Sequence, residues 1–154
     1  MKTIRLSLAA LALTLLSVGT YAQSTAPALT AYYGVKDALV ATDAATAKMQ
    51  ATALVAAIGK VDAAKLPAAD KKALAAAKTN ATAIAKTTDV ATQREAFEKL
   101  SASMITLVKA TKPAKAFVQY CPMVDASWLS DKKEVRNPYY GDKMLKCGSV
   151  KEEI

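Results

Sequence analysis

The chain has 154 residues, 53% of them hydrophobic, and a formal net charge of +8, which suits one domain with a modest core. It contains no histidine, so the usual ligand of zinc and copper(II) sites and the usual general base are both missing. This disfavours Ser-His-Asp and Cys-His catalysis, and we expect a protein that is not an enzyme. The lysines are spread along every segment without an interleaved aromatic patch, so we expect no nucleic-acid partner.

The N-terminus has the features of a secretory signal peptide over residues 1–22. Lys2 and Arg5 supply positive charge, an apolar run covers residues 6–18, and Thr20-Tyr21-Ala22 offers a small-residue cleavage site. The apolar run is short for a membrane span, and no basic stop-transfer cluster follows it. We predict an exported, periplasmic protein with no stable membrane insertion after cleavage. An uncleaved anchor is the alternative.

Residues 23–112 predict an up-down bundle of about four helices with short connections. The helical pattern begins at Leu29, and the first helix is expected to break before Asp43, a suitable N-cap residue for the second. The second helix carries apolar residues three or four positions apart: Ala47, Ala51, Leu54, Ile58 and Val61.

The third and fourth predicted helices differ in composition. The third, residues 69–86, is rich in alanine and has few large aliphatic side chains. Asp89 is the expected N-cap of the fourth helix, and Pro113 is expected to end it, because a residue before proline leaves the α region. Arg94 and Glu98 lie four positions apart on its exposed side and can form an ion pair, although the reverse order is the better orientation.

Residues 113–154 predict a small cap on one end of the bundle. Residues 116–120 and 127–130 are rich in β-prone side chains and are expected to pair as a hairpin. Residues 141–148 predict a last short helix. The fold class is therefore mainly α, a four-helix bundle with a β-hairpin and short-helix cap. The cap residues expected to form a small aromatic core are Tyr120, Trp128, Tyr139 and Tyr140.

Both cysteines and two of the five methionines lie in this cap. Residues two apart on a strand share a face, so Cys121 and Met123 would point together. Residues three apart on a helix share a face, so Met144 and Cys147 would do the same. If the two halves meet, two thiols and two thioethers converge, and such soft ligands select copper(I) or silver(I) over hard cations.

A disulfide between Cys121 and Cys147 is the alternative reading of the same residues. In an exported protein such a bond would close a loop of about 25 residues and contribute roughly 3.5 kcal/mol in the chain-entropy model. Met123 and Met144 would then be apolar filler. The spacing leaves both readings open, and they can also be two redox states of one protein.

The cap residues resemble those of an uncharacterised bacterial family. The similar stretches are Tyr120-Cys121-Pro122-Met123, Trp128-Leu129-Ser130, residues 135–141 and residues 144–148. Residues 32–40 are similar to the family's first helix, and residues 93–97 with Leu100-Ser101 to its last.

This resemblance implies a domain of unknown function. Such domains occur alone as small exported proteins, and at the C-terminus of periplasmic adaptor subunits of heavy-metal (copper/silver) efflux systems. The Cys-Pro-Met element also looks like the short heavy-metal-binding motif of those adaptors. The implied ligands are Cys121, Met123, Met144 and Cys147, the implied metal is copper(I) or silver(I), and the implied partners are efflux components. We expect a protein that buffers the metal or passes it on; a structural or partner-binding module stapled by the disulfide is the alternative.

Overall fold

The computed structural model describes residues 25–154, so the predicted signal peptide at 1–22 lies outside the described residues. Within the described part, four helices are followed by a small antiparallel sheet. The predicted mainly α class with a helical bundle is confirmed. None of the helices in this part is long and apolar enough to cross a membrane.

Helix α1 covers residues 25–40 and starts before the predicted Leu29, because Ala28 is already buried in the core. The chain then turns through Thr42, which has φ +58°, and restarts as α2 (Ala44–Ile58). Asp43 caps α2, since its carboxylate accepts the Thr46 N–H at 2.9 Å. The predicted break and N-cap are confirmed.

Helix α3 (Ala68–Ala85) leads into α4 (Val90–Thr111). Asp89 caps α4 by accepting the Thr92 N–H at 2.7 Å. Lys112 stands just after the helix in the left-handed region, with φ +44°, and Pro113 follows. Both predicted ends of α4 are therefore confirmed.

The core of the bundle is built from alanines and a few large side chains. Small side chains let helices approach closely but bury little area each, so the large residues carry much of the hydrophobic stabilisation. The predicted α2 stripe is buried, and so are the large apolar residues of α3 and α4: Leu74, Ile84, Phe97, Leu100, Met104, Leu107 and Val108.

Three strands form the cap: β1 (Phe117–Cys121), β2 (Ala126–Ser130) and β3 (Ser149–Glu153). They are antiparallel in the order β2-β1-β3, so the predicted hairpin is confirmed and β1 is central. The sequence did not predict β3, because every residue of this strand is exposed and no buried–exposed alternation marks it.

The predicted helix at 141–148 is mostly wrong. Only Gly141–Met144 is helical, as a single 3-10 turn. Gly148 has φ +139°, outside the helical region, and the chain pairs with β1 from Ser149 onward.

Buried hydrogen bonds join the cap to the bundle. The Tyr32 hydroxyl on α1 accepts the backbone N–H of Leu129 on β2 at 3.1 Å. It also lies 2.7 Å from the Ser101 hydroxyl on α4. One buried hydroxyl thus connects three elements that are distant in sequence.

Arg94 supplies a second connection, and its predicted ion pair with Glu98 is wrong. Its Nε donates to the carbonyl of Pro138 at 2.9 Å, and its Nη2 donates to the carbonyl of Leu39 at 3.0 Å and to the Thr42 hydroxyl at 3.1 Å. The guanidinium therefore ties α4 to the end of α1 and to the segment before Cys147.

Candidate functional site

The two cysteine sulfurs lie side by side, 2.6 Å apart, and both residues are free thiols. Cys121 is the last residue of β1 and is fully buried, whereas Cys147 lies two residues before β3 and is half-buried. The pairing of Tyr120 with Ser149 brings them together, because β1 and β3 are neighbours in the sheet. The unpredicted strand β3 is thus what places the second cysteine.

The turn after β1 directs hydrogen-bond donors at these sulfurs. Pro122 has no N–H and cannot continue the sheet ladder, so the chain turns over residues 122–125. The backbone N–H groups of Met123 and Val124 act to lower the pKa of Cys121, and that of Met123 acts to lower the pKa of Cys147. Donors of this kind stabilise a thiolate.

The two thiols differ in acidity. Burial acts to raise the pKa of Cys121, but hydrogen bonds from Cys147, from the turn amides and from the Asn137 side chain outweigh it and lower the net pKa. The hydrogen bond to Cys121, together with burial, raises the pKa of Cys147. The two thiols therefore differ in how readily they ionise, and the buried Cys121 is the more acidic of the two.

The two methionines are not placed as the sequence predicted. Met123 lies in the turn beyond the end of β1, and its side chain is 66% exposed. Met144 ends the 3-10 turn and is half-buried, while Cys147 lies outside that turn. The shared strand face and the shared helix face on which both predictions depended are therefore absent. Of the four predicted ligands, the two cysteines are in contact.

Among residues 25–154, no three cysteine, aspartate or glutamate side chains converge in a group that could hold a metal ion. Further ligands for a metal on the cysteine pair would have to come from the methionine thioethers, the backbone or outside the chain.

The predicted aromatic core is present in part. Trp128 is fully buried, and its ring packs against Tyr139 at 5.9 Å between centroids. Tyr139 donates its hydroxyl to the carbonyl of Ser127 at 2.8 Å. Tyr120 and Tyr140 are half-buried at the rim, and the Tyr120 hydroxyl bonds Asp125 at 2.7 Å.

Asn137 is the site residue whose role sequence reasoning missed. The Asn137-Pro138 pair predicts a turn, but nothing local shows that the side chain is fully buried and bonds the segment of Cys147. An asparagine before proline, ten positions from a cysteine, is only a weak signal.

Comparison with known proteins gives a match that covers the helical part of the chain. A family model described as "Protein of unknown function (DUF3347)" matches residues 28–116. The chain belongs to this family. The match ends just before β1, so the cysteine-bearing cap lies beyond the matched residues. No curated protein and no solved structure gives a significant match.

Proposed function

We propose that this DUF3347 protein binds copper(I) or silver(I) through the thiolates of Cys121 and Cys147. Met123 and Met144 are the candidate thioether ligands that complete the site. The protein would act in the periplasm, after export, and would buffer the metal or pass it to a heavy-metal efflux system.

The observation that carries this proposal is the pair of adjacent sulfurs, 2.6 Å apart. Burial acts to raise the pKa of Cys121, but Cys147, the turn amides and Asn137 lower it on balance. A thiolate is the form of cysteine that binds metals, and soft sulfur ligands select copper(I) and silver(I). A purely structural disulfide would not need donors that stabilise an anion.

The ligand types fit a soft metal, but the two sulfurs must move apart when a metal ion binds between them. Thiolate–metal bonds are about 2.3 Å long for zinc, so two sulfurs on one ion lie roughly 4 to 4.6 Å apart. Their present separation is 2.6 Å. The half-buried Cys147 side chain is the one able to rotate, whereas Cys121 is fully buried at the end of the central strand. Met123 is 66% exposed.

The same short separation favours a second candidate function. A Cys121–Cys147 disulfide would staple the cap of a structural or partner-binding module and involve no metal. The bond would close a loop of about 25 residues, and the chain-entropy model gives a stabilisation of about 3.5 kcal/mol for that length. The two sulfurs cannot be a disulfide and a bis-thiolate metal site at once, so the two candidates exclude each other in any one molecule.

The test is a titration of copper(I) into the reduced protein in the presence of a competing chelator. We expect stoichiometric binding that the double variant Cys121→Ser/Cys147→Ser loses. Met123→Leu and Met144→Leu, which keep side-chain size but remove the thioether, report whether either methionine contributes. If the wild type binds copper(I) no more tightly than the double variant does, the proposal is wrong. A stoichiometric Cys121–Cys147 link that resists reduction, detected by non-reducing mass spectrometry of periplasmic protein, would favour the second candidate.

A further inference from the structure

Asn137 is a fully buried polar residue at the centre of the segment that carries Cys147. Its side-chain oxygen accepts the N–H groups of Tyr139 at 2.8 Å and Tyr140 at 3.3 Å, which forms the turn expected of an asparagine before proline. These hydrogen bonds are local and use only the oxygen of the side-chain amide.

The other half of the amide reaches across the cap to Cys147. Its Nδ2 donates to the backbone carbonyl of Cys147 at 2.9 Å. The same side chain also acts to lower the pKa of Cys121. The bond to Cys147 lies at the point where β1 and the segment before β3 meet.

The main chain of Asn137 closes this segment into a loop. Its N–H donates to the carbonyl of Leu145 at 2.8 Å, and its carbonyl accepts the N–H of Gly141 at 3.1 Å. Arg94 holds the next residue, Pro138, from the side of the bundle. Asn137 is therefore held in place from several directions, and its side chain can in turn hold Cys147 in place.

We propose that Asn137 is the positioning residue of the sulfur pair, which holds the backbone of Cys147 beside Cys121 through one amide nitrogen. The effect on metal affinity rests on the proposed function, but the effect on sulfur pairing does not. Replacing a group that orients a metal ligand from outside the site typically changes metal affinity 10- to 100-fold. The same fixed geometry raises the effective concentration of one thiol at the other.

The experiment compares Asn137→Asp with the wild type and with a core variant, Leu54→Ala. Aspartate keeps an oxygen for the turn N–H groups but offers no N–H to Cys147 or to Cys121. Leu54 is fully buried on α2, away from the cap, so its variant lowers stability without touching the site. Two quantities are measured on folded protein: silver(I) affinity by chelator competition, and the equilibrium of the Cys121/Cys147 disulfide with glutathione.

We expect Asn137→Asp to bind silver(I) 10- to 100-fold more weakly and to shift the glutathione equilibrium toward the dithiol. Leu54→Ala should leave both quantities within about twofold of wild type, since distant sites are usually independent. Equal behaviour of the two variants in both assays would overturn the inference. If the wild type binds no silver(I), the proposed function fails, and the glutathione equilibrium still decides the role of Asn137. Asn137→Ser, which lacks the amide N–H that bonds the Cys147 carbonyl, repeats the test if Asn137→Asp does not fold.

Discussion

Gly148 is the residue that lets Cys147 approach β1. Its φ of +139° is rarely adopted by residues with a side chain. A Cβ at this position would lie 2.9 Å from the carbonyl of Tyr120 and 3.0 Å from the ring of Trp128. The chain after Cys147 therefore passes too close to the central strand for any other residue.

For this reason we predict that Gly148→Ala lowers the free energy of unfolding by about 1–3 kcal/mol, the usual cost of a residue in a disfavoured backbone region. Urea denaturation of the reduced protein measures it. Gly59→Ala is the matched control, because Gly59 has φ −63° and its Cβ would meet no atom closer than 3.4 Å. That variant should be neutral or more stable by up to about 1 kcal/mol. Equal losses in the two variants would contradict the explanation.

At the level of whole elements, the helix ends followed from local chemistry. Asp43 and Asp89 each accept an N–H three residues ahead, and Pro113 stops α4. Such signals lie within one turn of the residues that they act on, so a sequence reveals them directly. The buried stripes of α2 and α4 were predictable for the same reason.

The elements of the cap were only partly predictable, because their structure depends on distant pairing. Strand β3 is stabilised by β1, about thirty positions earlier in the chain, and its own residues carry no burial pattern. Met123 was predicted to share a face with Cys121, but Pro122 ends the strand between them. The amide of Asn137 reaches Cys147 only once the sheet has formed. The two cysteines were identified from the sequence, and the groups that hold them were not.

An ion pair connects helix α1 to the end of β2. The Lys36 ammonium is buried, with 6% of its side chain exposed, and lies 3.2 Å from the Asp131 carboxylate. Desolvation acts to raise the pKa of Asp131, but the hydrogen bond and charge of Lys36 outweigh it, and the pKa is lowered. The pair therefore stabilises the fold when Asp131 is ionised.

We predict that Asp131→Asn is less stable than wild type at pH 7 and that the difference shrinks on acidification. A carboxyl whose folded pKa lies below its unfolded value, about 3.9, gives stability that is present above that pH and lost as pH falls through the folded pKa. At pH 7 the free energies of unfolding of the wild type and Asp131→Asn should differ by no more than about 1 kcal/mol, because 43% of the Asp131 side chain is exposed. Urea denaturation at pH 7, 4 and 3 measures it.

Asp37→Asn provides the comparison for that experiment. Its carboxylate lies 3.1 Å from the same lysine, but 66% of its side chain is exposed, so solvent screening is stronger. We expect a smaller gap than for Asp131→Asn. A gap for Asp131→Asn that stays constant from pH 7 to pH 3 would show that the ion pair is not its cause.

On the scale of the whole molecule, aromatic rings join the bundle to the cap. Tyr32 stacks on Phe97 at 5.2 Å between centroids, Phe97 contacts Tyr139 at 5.8 Å, and Tyr139 contacts Trp128 at 5.9 Å. The first two rings belong to helices α1 and α4, and the last two to the cap. The hydrophobic core is therefore continuous across both parts.

A continuous core predicts one cooperative unfolding transition. Circular dichroism at 222 nm follows the helices, while fluorescence of Trp128, the only tryptophan, follows the cap. We expect both signals to give the same midpoint. Phe97→Ala should lower the free energy of unfolding by about 3–5 kcal/mol and move both midpoints together. Separate midpoints in the wild type would show that the cap unfolds independently of the bundle.

The placement of the two cysteines also defines a ring within the chain. They are 26 positions apart, and β2, Asn137 and the 3-10 turn all lie between them. Once the sulfurs are bonded, a protease that cuts inside this ring leaves one covalent molecule, whereas a cut in the helices releases a fragment. Reductant would then free the two pieces of the nicked ring, so the state of the sulfur pair can be read from whether a cleaved cap stays whole on a denaturing gel.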